Sequence, residues 1–251
     1  MSARDWHVLE EVNRLRVATG EQLERLCFSG VQAGRSRTVT RSRVLARLVS
    51  WRVLAPMGRR VGGREKGSTV QVFALDSVGQ RLLREQQFAD DVPVRVRRPG
   101  PLGALSQRHL LAVSELYVEL VERARACDFA VATFKAEPGA WWPNGAGGWL
   151  KPDAYAVLER DGARDHWWLE VDLATESLPT VRAKLSYYTA FHERGGRGPA
   201  GVTPWLLVST TTERRRDAIA RLAGQLPGAA EFVRVTLSTE AAQLMYSVLR
   251  E

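Results

Sequence analysis

The chain has 251 residues, of which 45% are hydrophobic and 25% charged, with a formal net charge of +8. That length suits one large domain or two small ones, and the composition is that of a soluble globular protein. No stretch approaches the roughly 18 to 20 apolar residues of a membrane span, the N-terminus MSARDWHVLEEVNRLR lacks the apolar core of a secretion signal, and Cys27 and Cys127 offer neither a metal spacing nor a disulfide framework.

These exclusions predict a cytoplasmic protein with two buried thiols and no membrane partner. No heptad repeat, internal repeat or low-complexity tract occurs. The charge is uneven. Residues 1–100 hold 19 Lys and Arg against 10 Asp and Glu, whereas residues 101–251 hold 17 against 18. A basic half beside a near-neutral one predicts that the first half approaches a polyanion. Most of the cations are Arg, whose planar fork suits phosphate.

In chain order, residues 4–17 place Trp6, Val8, Leu9, Val12, Leu15 and Val17 at helical spacing. Thr19 or Gly20 then caps a second helix that carries Leu23, Leu26 and Phe28. A third helix starts at about Ser36 or Thr38, with Val39, Val44, Leu45, Leu48, Val49 and Leu54 facing inward. Arg35, Arg37, Arg41, Arg43 and Arg47 belong to it or border it. Leu54 to Arg60 and Thr69 to Leu75 form a hairpin, and Arg59, Arg60, Arg64 and Lys66 lie at or near its basic tip. A fourth helix begins at Asp76 or Ser77. Three helices followed by a basic hairpin is the order of a winged helix-turn-helix. The nine cations just named are the candidate contacts to double-stranded DNA, through phosphates and guanine edges. The competing reading is an Arg-rich solvated face on a protein-interaction domain. Residues 91–103, rich in Pro and Gly, read as a linker between a domain at 1–90 and another at 104–251.

The second half begins with a strong helix at 104–126. Strands follow at 128–137, 149–160 and from His166 to Leu173, with a turn-rich loop "PGAWWPNGAGG" after the first and a tight turn "DGARD" after the second. A helix starts at about Pro179, with Ser177 or Leu178 near its start and Gly195 at its end. A strand, a helix, a short strand and a last helix at 239–250 complete the chain. The order α-β-β-β-α-β-α-β predicts an α/β (α+β) domain with a mixed sheet flanked by helices.

"HWWLEVDLATES" spans His166 to Ser177 and carries two acids in an otherwise apolar strand. Alternation puts Trp168, Glu170 and Asp172 on one face and Trp167, Leu169, Val171 and Leu173 on the other. The tight turn pairs this strand with its neighbour, which carries Asp153 after Pro152. Three carboxylates would then converge. Clustered oxygen ligands suit Mg²⁺ or Mn²⁺, and no cluster of His and Cys offers a zinc alternative. The competing reading is a structural ion-paired network.

Pro152-Asp153, a hairpin and then Glu170-Val171-Asp172 resemble the PD-(D/E)xK restriction-endonuclease-like fold, over about residues 104–210. The resemblance implies that Asp153 and Glu170 hold a divalent metal and that a Lys serves beside them. The sequence departs from that pattern at Asp172, where a Lys is expected. Lys184, on the following helix, is the substitute; Lys135 and Lys151 are weaker ones. The whole chain, through "SQRHLLAVSELYVEL", "KPDAYAVL", "LEVDLATES" and "KLSYY", resembles the replication-relaxation family of plasmids and integrative mobile elements. That resemblance implies a role in replication initiation or DNA relaxation, with His109, Glu115, Glu176 and Tyr187 or Tyr188 as secondary site residues.

Two functions compete. One is a metal-dependent, relaxase-like endonuclease that nicks DNA at a site chosen by the first domain. The other is a non-catalytic initiator or transcriptional repressor whose nuclease-like domain serves dimerisation or partner docking. Neither takes a small-molecule substrate. A palindromic DNA site would imply a homodimer.

Overall fold

The computed structural model of the chain describes residues 1–60, 70–87 and 98–250, and its elements fall into two compact units, Met1–Val118 and Glu119–Glu251. The first unit contains α1 (Ala3–Leu15), β1 (Ala18–Thr19), α2 (Gly20–Cys27), α3 (Arg35–Ser50), β2 (Leu54–Arg60), β3 (Val70–Leu75), α4 (Ser77–Gln87) and most of α5 (Ala104–Ala126). Local chemistry sets its helix starts. Ser2 and Asp5 form a capping box at α1. Thr19 and Gln22 form another at α2, which settles Thr19 rather than Gly20 as the cap. Such caps satisfy backbone N–H groups that the helix itself cannot.

α3 starts at Arg35, after Gly34 and without a side-chain cap. Its buried stripe is narrower than the sequence pattern predicts. Val44, Leu45 and Leu48 are buried, but Val39 is 38% exposed. The reason is angular: Val39 precedes Val44 by five residues, about 140° round a helix that turns roughly 100° per residue. β1, β3 and β2 form an antiparallel sheet in that order. Pro56 sits on the edge strand, where its missing N–H breaks no interior ladder. A register shift follows between Pro56 and Arg59.

The N-terminal part of α5 packs into this first unit. Leu110 and Leu111 join Val17, Val72 and Ala74 in one cluster. The Ser114 hydroxyl donates to the Val17 carbonyl at 2.8 Å, and Gln22 Nε2 donates to the Leu111 carbonyl at 3.0 Å. The division between the units therefore falls within the helix, after Val118.

The second unit continues with β4 (Ala130–Ala136), β5 (Trp142–Pro143), β6 (Trp149–Leu150), β7 (Ala154–Arg160), β8 (Ala163–Asp172), α6 (Leu178–Glu193), β9 (Trp205–Thr210), α7 (Glu213–Gly224), α8 (Ala229–Phe232), β10 (Val233–Leu237) and α9 (Ala241–Val248). Its main sheet has the order β10-β9-β8-β7-β4. β4, β7 and β8 pair antiparallel, while β8, β9 and β10 pair parallel. The sheet is therefore mixed, as the element order predicts. One face carries Tyr155, Val157, Trp168, Leu206 and Val208, and it packs with Val181, Leu185, Tyr188 and Phe191 of α6 and Ile219 of α7. The other face is buried too: Trp167, Leu169 and Leu207 are fully enclosed. That two-sided burial explains the near-continuous apolar run of β8.

Two boundaries differ from expectation. The predicted strand 149–160 divides, because Pro152 cannot donate to a ladder; β6 pairs with β5 as a small hairpin, and only β7 joins the main sheet. The turn into β8 is tighter than "DGARD" suggests. Asp161 and Gly162 both have positive φ, 50° and 82°, and Arg160 pairs directly with Ala163. This is the geometry of a two-residue primed turn, which Asp-Gly favours. Among the described residues, no helix is long and apolar enough to cross a membrane.

Candidate functional site

The register of β7 with β8 assembles the site. Ala154 pairs with Leu169, so Asp153, one step earlier, faces Glu170. Asp153 is anchored twice: its backbone N–H donates to the Leu169 carbonyl at 3.0 Å, and its Oδ2 accepts from the Val171 N–H at 2.7 Å. Both acids are buried, at 8% and 5% exposure. Like charges directly opposite one another on a sheet repel. Burial, and after it the Asp153 charge, push the Glu170 carboxyl up to about 7.

α6 answers that charge. Lys184 and Tyr188 are four residues apart, so they share one face of the helix. Lys184 Nζ donates to Glu170 Oε2 at 3.0 Å, and the Tyr188 hydroxyl donates to Oε1 at 2.7 Å. Each oxygen of Glu170 thus has its own donor. Burial works against the Lys184 charge, but Glu170 and Asp153 outweigh it and hold the ammonium above its ordinary range. The Tyr188 phenol is raised by burial and by the Glu170 charge. Lys184 also lies 3.4 Å from Glu176 Oε2.

Asp172 does not join this pair. Arg215, in the first turn of α7, takes both of its oxygens, Nε to Oδ2 at 2.7 Å and a terminal nitrogen to Oδ1 at 3.0 Å. Thr210 donates to Oδ2 at 3.1 Å. Arg215 also donates to the Glu176 carbonyl at 2.7 Å, tying the loop before α6 to the end of β8. The expected convergence of three acids is thus a pair, Asp153 with Glu170, plus a third acid in a separate bidentate ion pair. Asp172 shares their face of the strand, but it sits at the strand end that α7 reaches. Among the described residues, no group of three or more His, Cys, Asp or Glu side chains could hold a metal. Two facing carboxylates still match Mg²⁺ chemistry, since that ion commonly takes one or two from a protein and the rest of its shell from water and phosphate.

The secondary candidates scatter. Tyr188 belongs to the site, while its neighbour Tyr187 is 64% exposed. Glu176 borders the site through Lys184. Glu115 belongs to the first unit, where it accepts from Gln22 Nε2 at 2.8 Å and from Arg25. His109 is half-buried in the same unit. Lys135 is exposed on β4, and the Lys151 ammonium lies 4.8 Å from the centre of the Trp141 ring. Sequence reasoning missed Arg215 and Thr210. Within "ERRRD", Arg215 reads as one of several solvated cations, and no local pattern marks its distant partner.

The first unit sorts its arginines. Arg37 is spent on local structure, donating to the Val31 and Ser29 carbonyls. Arg41 pairs with Glu24 at 2.9 Å. Arg47 pairs with Asp5 at 2.6 Å and lies over the Trp51 ring. Arg35 and Arg43 are exposed on α3. Arg64 and Lys66 lie outside the described residues, as do the side chains of Arg59 and Arg60.

No curated protein matches the chain. A family model described as replication-relaxation matches residues 9–206, which include α3, the facing acids and the Lys184 helix. With most of its length matched, the chain belongs to the replication-relaxation family.

Proposed function

We propose that this chain is a DNA-binding protein of a plasmid or integrative element, acting in replication initiation or DNA relaxation by nicking DNA at a site its first unit selects. The observation that carries the proposal is Glu170, buried opposite Asp153 with Lys184 on one oxygen and Tyr188 on the other. A buried pair of acids costs stability, and a purely structural role would be met more cheaply by apolar side chains. The order α5-β4-β7-β8-α6-β9 supports a PD-(D/E)xK assignment, with Lys184 standing in for the Lys that Asp172 replaces.

Asp153 and Glu170 would hold Mg²⁺ or Mn²⁺, which supplies a nucleophilic hydroxide and charge stabilisation to phosphodiester cleavage. The chain's own residues do the positioning. Tyr188 fixes the Glu170 carboxylate, the Asp153–Val171 hydrogen bond fixes the facing acid, and Lys184 keeps a positive charge where a phosphate would develop negative charge. In the first unit, the order of α1, α2, α3 and the β2–β3 pair supports a winged helix. Its α3 would enter the major groove and offer Arg35 and Arg43 to phosphates or guanine edges.

The test incubates supercoiled plasmid carrying the cognate origin with the protein and Mg²⁺ or Mn²⁺. The wild type yields relaxed product, and Glu170→Ala loses it by a factor on the order of 10² or more. Persistence of the product in that variant would show that the site lies elsewhere. One observation favours a second reading, a non-catalytic initiator or repressor: the position where a nuclease Lys is expected holds an acid already satisfied by Arg215. That reading requires origin binding with no relaxed product at any concentration of either cation.

A further inference from the structure

The segment "AWWPNGAGGWLK" leads straight into Asp153, and it forms a built hairpin. Asn144 Oδ1 accepts from the Ala146 and Gly148 N–H groups at 2.8 and 2.9 Å, stapling the loop between β5 and β6. Trp142 Nε1 donates to the Arg197 carbonyl at 2.9 Å, and Arg194 donates to the Asn144 carbonyl at 3.3 Å. Leu150 of β6 and Ala140, just before β5, are buried in the core. Against that ordered frame one large aromatic is turned outward: Trp149 is 57% exposed. Lys151, Arg194 and Arg197 are exposed on the hairpin and on the segment it is bonded to. Three exposed cations on the hairpin that carries this indole and on the segment bonded to it are unexpected in a half of the chain with slightly more acids than bases. Trp149 precedes Asp153 by four residues, so at most about 14 Å of chain separates them.

We propose that Trp149 is a stacking platform for an unpaired DNA base, with Lys151, Arg194 and Arg197 taking the adjacent phosphates, so that the strand brought to Glu170 is single-stranded. This rests on the nuclease reading above for the identity of the polymer. In a duplex, each interior base face is already covered by its neighbours. An indole held out on a stiff hairpin therefore gains contact only where a base face is open, and flanking cations supply the backbone attraction. Hydrogen-bond readout is not required, so the platform tolerates any sequence.

The test measures binding of the full-length protein in EDTA to fluorescent oligomers of about 12 nucleotides, a length within the usual span of single-strand sites. Single-stranded DNA, the matching duplex and single-stranded RNA of the same sequence are compared. Trp149→Ala should weaken single-stranded DNA binding roughly 5- to 100-fold, with duplex affinity unchanged and Trp149→Phe retaining much of the wild-type affinity. An unchanged single-strand affinity, an equal loss on the duplex, or a Trp149-dependent preference for RNA would each overturn the proposal. Because Trp149 is exposed, an unchanged melting temperature verifies that each variant is folded. No divalent cation is present and binding is the readout, so a negative result here leaves the Glu170→Ala plasmid result standing, and the reverse also holds.

Discussion

Arg43 on α3 and Glu170 on β8 carry single charges in opposite circumstances. Arg43 stands in solvent, whereas Glu170 is 5% exposed with two donors and a facing acid. The same contrast separates the two regions. On α3 most of the cationic charge is at the surface, where hydration holds it at little cost and a polyanion can reach it. At the sheet end of the second unit, four charged groups, Glu170, Lys184, Asp172 and Arg215, are matched pairwise. A surface charge reports on binding when it is removed; an enclosed one reports first on stability.

The largest effect expected from this contrast lies at Arg215. Its side chain and that of Asp172 are 13% and 8% exposed, and Arg215→Ala leaves the acid with Thr210 alone. Removing one partner of an enclosed pair costs about 3 kcal/mol, to be read from urea unfolding. A loss below about 1 kcal/mol would group this pair with ordinary surface salt bridges and dissolve the distinction drawn between the two regions.

Next comes pH. The Glu170 carboxyl is raised from 4.5 to about 7 in the folded chain. Between those values the folded protein keeps a proton that the unfolded chain has released, so this group makes stability fall as pH rises through the window. Lys184 is charged in both states there and adds nothing to the slope. Melting temperatures of Glu170→Gln should therefore decline less between pH 5 and pH 8 than those of the wild type. A variant that declines as steeply would show that Glu170 does not carry the strain assigned to it.

The smallest effects belong to α3. Arg35→Ala and Arg43→Ala should leave the melting temperature unchanged and lower the salt slope of duplex binding by about 0.9 each, one phosphate contact apiece. Arg41→Ala should change the slope less, because Glu24 already engages that guanidinium. Equal slopes for all three would erase the sorting of the arginines.

Several features were legible because their causes are local. The Ser177 cap and Gly195 bracket α6, and Asp161-Gly162 turns β7 into β8. Alternation, with that turn, was enough to face Asp153 with Glu170, and a helix following the strand was enough to nominate Lys184. A partner that comes from far along the chain leaves no such local trace. Parity on the strand groups Asp172 with the other acids, but β9 pairing parallel to β8 brings Thr210 and the first turn of α7 to it. Spacing alone groups Arg37, Arg41 and Arg47 with Arg43, and their engagement in loop contacts and ion pairs has no local signature.

The amino-acid order by itself determined where the helices begin, how the central strand alternates and which acids can meet across one hairpin. These follow from caps, turn chemistry and a two-residue period that act over a few residues. Tertiary structure alone decided which charges are spent and which stay available. That outcome depends on neighbours tens of residues away, because the free energy of a charge is set by its solvent exposure and by the partner it meets.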